Sequence, residues 1–245
     1  MVAEKQINEF ISRLRVSSGE NLESVILYGS AADGEFHPDF SNINLLCVLR
    51  KSSFPALTAI APTVAWWTKQ KHHEPLILTR EELESSTDVF SIELLDMQHR
   101  HRVLFGADVL SGLEIPMHLH RAQLEYELRE KLILLRERLL LSANNKKQLW
   151  ELMLHSLSTF TTLFRHGLIA LGVTPPKTKR ETIQELAARI RFDASAFLQL
   201  LDIREHKAET KRFDVADVFS RYLAAVQQVT AAVDKMLDSP EPRGT

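Results

Sequence analysis

The chain has 245 residues, of which 44% are hydrophobic and 25% charged, the ordinary mix of a globular protein of one or two domains. Its formal net charge of −2 excludes the strongly basic signature of a general nucleic-acid binder. A single cysteine, Cys47, excludes an internal disulfide and a thiolate zinc cluster, and no apolar run approaches the roughly 20 residues needed to span a bilayer.

Residues 1–15 lack a signal-peptide core, so the expected location is the cytoplasm. In chain order, an amphipathic helix is expected at 3–15, then strands at 24–28 (SVILY) and 43–49 (INLLCVL). A helix around 55–71, a strand at 75–79 (PLILT) and a short helix at 80–86 follow. The run 91–97 (SIELLDM) reads as another strand, and 103–105, closed by Gly106, as a short one. After Pro116 the pattern turns helical. Leu124, Leu128, Leu132, Leu135 and Leu139 form a stripe within 118–142 that must pack on a partner.

Further helices are expected at 147–171, ended by Gly172 and the Pro175–Pro176 break, and at 215–237, entered through Asp214. Residues 178–206 hold one or two more, with Thr178 and Glu181 spaced as a capping box. The reading is α+β: a mixed sheet with flanking helices over 1–115, an all-α up-and-down bundle over 116–239, and a polar, disordered tail at 240–245. The charge divides at the same place. Residues 1–115 carry 10 Lys/Arg against 16 Asp/Glu, and 116–245 carry 20 against 16, so the halves stand at −6 and +4.

The informative segment is 25–49. A strand runs into Gly29-Ser30, a polar loop with Gly34 and Pro38 follows, and a second strand alternates Asn42, Ile43, Asn44 and Leu45. A glycine at a strand end lets another backbone or a ligand approach closely. The serine hydroxyl and the turn's free N–H groups suit an anion. Strand alternation sends Asn42 and Asn44 to one face, and two polar groups opposite a Gly-Ser turn could hold a phosphate chain.

This order of residues resembles the signature of the nucleotidyltransferase superfamily, the polymerase-beta-like fold that includes the bacterial aminoglycoside adenylyltransferases of streptomycin type. The likeness runs through Gly29–Glu35, Pro38 and Ser41 and weakens after residue 50, with suggestive segments at EPLILTREEL and HRVLFGADVL. The resemblance implies ATP or another nucleotide as ligand, Gly29 and Ser30 at its phosphates, and a pair of carboxylates on the second strand holding Mg²⁺. It also implies a third carboxylate on a neighbouring strand, for which Glu93 is the candidate and Asp96 the fallback.

This chain departs from the family at the pair itself, because Asn42 and Asn44 stand at both metal-ligand positions. An amide offers a neutral oxygen and a competing NH₂ donor, whereas a hard cation favours anionic oxygens. At an effective dielectric near 20, each missing charge is worth roughly 4 kcal/mol at 4 Å from a cation. Asp33, Glu35 and Asp39 could supply oxygens only from a loop. The expected function is therefore nucleotide binding or regulation on a nucleotidyltransferase fold with a weakened Mg²⁺ site and little or no transfer. The alternatives are an active Mg²⁺-dependent enzyme moving AMP from ATP to a small-molecule hydroxyl, and an interaction protein acting through its helices, like HEPN or toxin–antitoxin partners. A protein partner or a homodimer through the helical half is compatible with the leucine stripe; a membrane partner and general nucleic-acid binding are not expected.

Other clusters carry less. His72-His73, His99/His101 and His118/His120 lack the partners of a tetrahedral zinc site. Trp66-Trp67 and Phe160/Phe164 fit core packing. Arg100 and Arg102 could reach phosphates, and Lys177–Arg191 holds five basic residues against two acidic, which is the pattern of a solvated helix face.

Overall fold

A computed structural model describes residues 2–32 and 42–237, and of residues 2, 3, 30 and 237 the backbone alone. The tail at 240–245 and the loop residues Asp33, Gly34, Glu35, Pro38, Asp39 and Ser41 lie outside the described residues. The chain divides into two compact units, Met1–Met117 and His118–Thr245.

The first unit is a four-stranded mixed sheet of order β3-β2-β1-β4, with β1 Leu22–Tyr28, β2 Asn44–Leu49, β3 Leu76–Thr79 and β4 His101–Gly106. Strand β1 pairs antiparallel with β2 and β4, and β2 pairs parallel with β3. Strand β1 is central and reads as a nearly continuous apolar run because both faces are covered. On one face, Val25, Leu27, Leu45 and Cys47 pack with Ile7, Phe10 and Leu14 of α1 (Val2–Ser18) and with Ile60 and Trp67 of α2 (Phe54–Lys69). On the other, Ile26, Leu46 and Val48 meet Leu83 of α3 (Arg80–Ser85) and Leu94 and Met97 of α4 (Ser91–His99). Cys47 is fully buried, which pushes its thiol up to about 12.

Two expectations are corrected here. Residues 91–97 form helix α4 rather than a strand. The apolar run SIELLDM fits both periods, and the three-residue step from Ser91 to Leu94 to Met97, all buried, is the one the fold uses. The last strand begins at His101, two residues before the apolar stretch, because Tyr28 and Leu27 supply partners for His101 and Arg102. Gly106 closes it at φ +77, where a Cβ would fall 1.9 Å from the Glu23 carbonyl oxygen.

The second unit is all helical: α5 His120–Ser142, α6 Lys146–Ala170, α7 Lys179–Ile190, α8 Ser195–Arg204 and α9 Val215–Leu237. Leu124, Leu128, Leu132 and Leu135 bury the expected stripe of α5. Thr178 and Glu181 close their capping box reciprocally, and the Asp214 carboxylate accepts the Ala216 N–H at 3.3 Å at the start of α9. Phe160, Phe164, Phe197 and Tyr222 stack and tilt against one another as the bundle's aromatic centre.

Candidate functional site

Strand β1 ends in a 3-10 turn, Gly29–Ala31, whose first N–H groups have no partner within the turn. Gly29 sits at φ +78, a conformation that side chains rarely adopt. Its N–H donates to the Arg100 carbonyl at 2.9 Å and its carbonyl accepts the Ala32 N–H at 2.9 Å. The turn is therefore closed on itself by the Ala32 N–H and held from the side by the link between α4 and β4. A Cβ at Gly29 would lie 3.3 Å from the Asn44 amide nitrogen, so the Asn44 side chain packs on the glycine.

Antiparallel pairing puts Asn44 and His101 directly beside Tyr28, one on each flank. Paired residues point to the same face, so the three form a polar row on the face that α4 covers. Tyr28 is largely buried, which raises its phenol above its ordinary value, with Cys47 adding in the same direction. His101 Nε2 lies 3.1 Å from the Asp108 carboxylate, and its Nδ1 is 3.1 Å from the Gln98 carbonyl. Burial alone would push the Asp108 carboxyl up, but bonds from His101 and the Ser111 and Leu110 N–H groups outweigh it and hold the group at about 2.

The sequence-marked residues separate into three groups. Gly29, the backbone of Ser30, and Asn44 come together at the sheet end. Asn42 is exposed and precedes β2, which starts at Asn44, so the two asparagines do not share a regular strand. Glu93 and the half-buried Asp96 lie on α4, not on a strand; Glu93 is exposed in its first turn. The strand that neighbours β2 carries no carboxylate at this level, although Glu74 stands two residues before Leu76, as Asn44 stands two before its partner Leu46. Tyr28, although it directly precedes Gly29, and Asp108 were not marked by the sequence, and His101 was marked only as half of a zinc pair; the register of β4 on β1 is what brings His101 to the glycine turn.

The donor set bears on the divalent metal that the sequence resemblance implies. Among the described residues no group of three His, Cys, Asp or Glu side chains could hold a metal ion. At the sheet end the facing groups are an amide, a phenol and an imidazole already committed to Asp108. Donors without an anionic oxygen do not fit a pair of hard cations. What the arrangement can do is hold an anion at a glycine turn beside hydrogen-bonding side chains.

The remaining marked residues are structural. His72 stacks on Trp67 at 4.0 Å and its Nε2 is 3.0 Å from Gln6. Trp67 is buried and donates to the His73 carbonyl at 2.8 Å. Arg102 pairs with Glu4 at 3.2 Å. In the second unit, Arg180 pairs with Asp202 and Glu205, and Arg189 with Glu185, so the Lys177–Arg191 segment is partly neutralised. His120 is buried against His166, ring nitrogens 3.0 Å apart, and its Nδ1 has no partner among the described residues. Burial first, then the charges of His166 and Arg121, push His120 down to about 4.

The family model described as nucleotidyltransferase domain matches residues 5–97, most of the first unit. A solved structure that resembles the whole chain is spectinomycin adenyltransferase from Enterococcus faecialis with ATP and spectinomycin. It has 14% identity and a TM-score of 0.52, and the match covers 96% of this chain and 99% of that one. No curated protein matches the chain significantly. No helix among the described residues is long and apolar enough to cross a membrane.

Proposed function

We propose that the first unit binds a nucleotide at the Gly29–Ala31 turn and transfers its nucleotidyl group weakly or not at all. The observation that carries this reading is Asn44, an amide packed on Gly29 at a position where the superfamily would have a metal-holding carboxylate. ATP is the ligand to test first, because the spectinomycin enzyme was solved with it. Asn42 and Asn44 give up the anionic oxygens that bind Mg²⁺, so nucleotide affinity should depend little on the metal.

Titration calorimetry with ATP, with and without Mg²⁺, tests this together with the Asn42→Asp/Asn44→Asp variant. The expected result is wild-type binding with at most a small effect of Mg²⁺, and a metal-dependent gain in the double variant. Turnover by the wild type at ordinary enzyme rates, about 1 s⁻¹ or more, would overturn the degenerate site and favour the AMP-transferring alternative. Absence of ATP binding in both proteins would overturn the nucleotide reading altogether.

A second reading has its own support. Tyr126, Ile133 and Leu140 recur every seven residues along α5 and are 64%, 53% and 80% exposed, a surface suited to another helix. Light scattering on purified protein tests for a second copy, with a monomer at all concentrations counting against it.

A further inference from the structure

The helical unit contains a cavity of about 610 Å³ between the start of α6 and the turn that leads into α9. Its lining brings together residues more than 60 positions apart: Lys146 and Trp150 from α6, and Lys211, Arg212, Phe213 and Asp214 from the turn. Lys146, Lys211 and Arg212 are exposed and enter no ion pair among the described residues, so the pocket holds three cations against one carboxylate. That carboxylate is already engaged by the Ala216 N–H. Both helices start at the pocket, but Asn145 and Asp214 cap their first turns, so the positive field comes from the side chains.

Trp150 distinguishes this pocket from an ordinary basic surface. Its ring is half-buried, has no aromatic or cationic partner among the described residues, and its indole N–H has no acceptor there. The larger groove of the first unit, about 900 Å³, differs in this respect, since its Arg15 guanidinium already lies over the Phe105 ring at 4.8 Å. Open aromatic rings beside unpaired cations are the two elements that bind single-stranded nucleic acid. Bases stack on the rings while phosphates meet the Lys and Arg side chains. An acidic peptide would use the cations and leave the rings unused, and a polycation would be repelled.

We propose that this pocket binds a nucleobase with its phosphate, stacked against Trp150 and held by Lys146, Lys211 and Arg212. The site is separate from the Gly29 turn and does not rest on the function proposed for it. Its chemistry is shared by a free nucleotide and by one unit of a single-stranded oligonucleotide. The near-neutral whole chain is no obstacle, because the charge is local.

Fluorescence anisotropy with a labelled single-stranded 12-mer tests the proposal, with AMP and a glutamate peptide of equal charge as competitors. Lys211→Glu/Arg212→Glu, at exposed positions, should weaken binding at least about tenfold, and a rise from 50 to 200 mM salt should weaken it further. Trp150→Leu should cost about tenfold, the effect of losing one stacked base, with circular dichroism confirming the helical fold. Asn44→Ala should leave binding intact. Displacement by AMP identifies a single-nucleotide site, whereas binding of the oligonucleotide alone identifies a strand site. Failure of both to bind overturns the proposal. So does equal competition by the glutamate peptide with no effect of Trp150→Leu, or loss of binding in Asn44→Ala but not in the charge-reversed variant.

Discussion

His101 and His120 both bond through a ring nitrogen to another titratable group, His101 to a carboxylate at the end of a sheet and His120 to a second imidazole inside a helical bundle. The distances are nearly equal, 3.1 and 3.0 Å, yet the consequences are opposite in kind. At the sheet end, bonds from His101 and from the Ser111 and Leu110 N–H groups outweigh the desolvation that would raise Asp108 and hold it at about 2. The imidazole partner offers no compensation, so burial keeps His120 neutral down to about 4. The contrast teaches that the two units respond to acid in separate windows. The first keeps its polar row until its carboxylate protonates, while the second meets acid with a buried base.

The largest expected effect belongs to the helical bundle. In the unfolded chain His120 takes up a proton near its ordinary value of 6.5, whereas in the folded unit it refuses one until about 4. Bundle stability is therefore complete above pH 6.5 and falls as the pH drops toward 4, by up to about 3 kcal/mol. Urea midpoints followed by circular dichroism at pH 7 and pH 4.5 should show that fall. His120→Gln, which keeps a hydrogen-bonding group facing His166, should remove most of it. An unchanged slope in the variant would assign the acid sensitivity elsewhere.

A smaller effect comes from the sheet side. Asp108→Asn should cost the first unit about 1–2 kcal/mol at pH 7, the loss of a charge-assisted hydrogen bond. Asp108 has a lowered folded value, so its contribution is present above its ordinary 3.8 and lost as the pH falls from there toward 2. The difference between wild type and variant should hold steady from pH 7 to 4.5 and narrow only below about 3.8. Tryptophan fluorescence in a Trp150→Phe background reads this from Trp66 and Trp67, both in the first unit.

The smallest effect sharpens the role of the turn between the two flanks of the row. Gly29→Ala places a Cβ at φ +78 and 3.3 Å from the Asn44 amide. The strain should cost about 1 kcal/mol, measured on the same background, while ATP affinity falls more than stability does. Equal losses would mean that Gly29 serves the fold alone.

Much of the architecture is legible in the sequence because it depends on local rules. The Thr178–Glu181 capping box, the leucine stripe of α5 and the glycine at the end of β1 each follow from spacing within a few residues. The run at 91–97 is not, because seven residues with four apolar side chains fit either period and only packing against Ile26, Leu46 and Val48 decides. The site divides the same way. Gly29 and Asn44 are visible because a turn and a strand lie close in sequence. His101 and, through it, Asp108 join them only through the register of β4 on β1, and Trp150 meets Arg212 only through helix packing.

Cys47 gives this two-unit protein a built-in clock. It is the chain's one thiol, it sits in the middle of β2 opposite Val25, and its high thiol value leaves almost no thiolate at neutral pH. A thiol-labelling reagent can react only through molecules in which the first sheet has opened. The labelling rate therefore counts openings of that unit alone and is silent about the helical bundle, which has no cysteine to report.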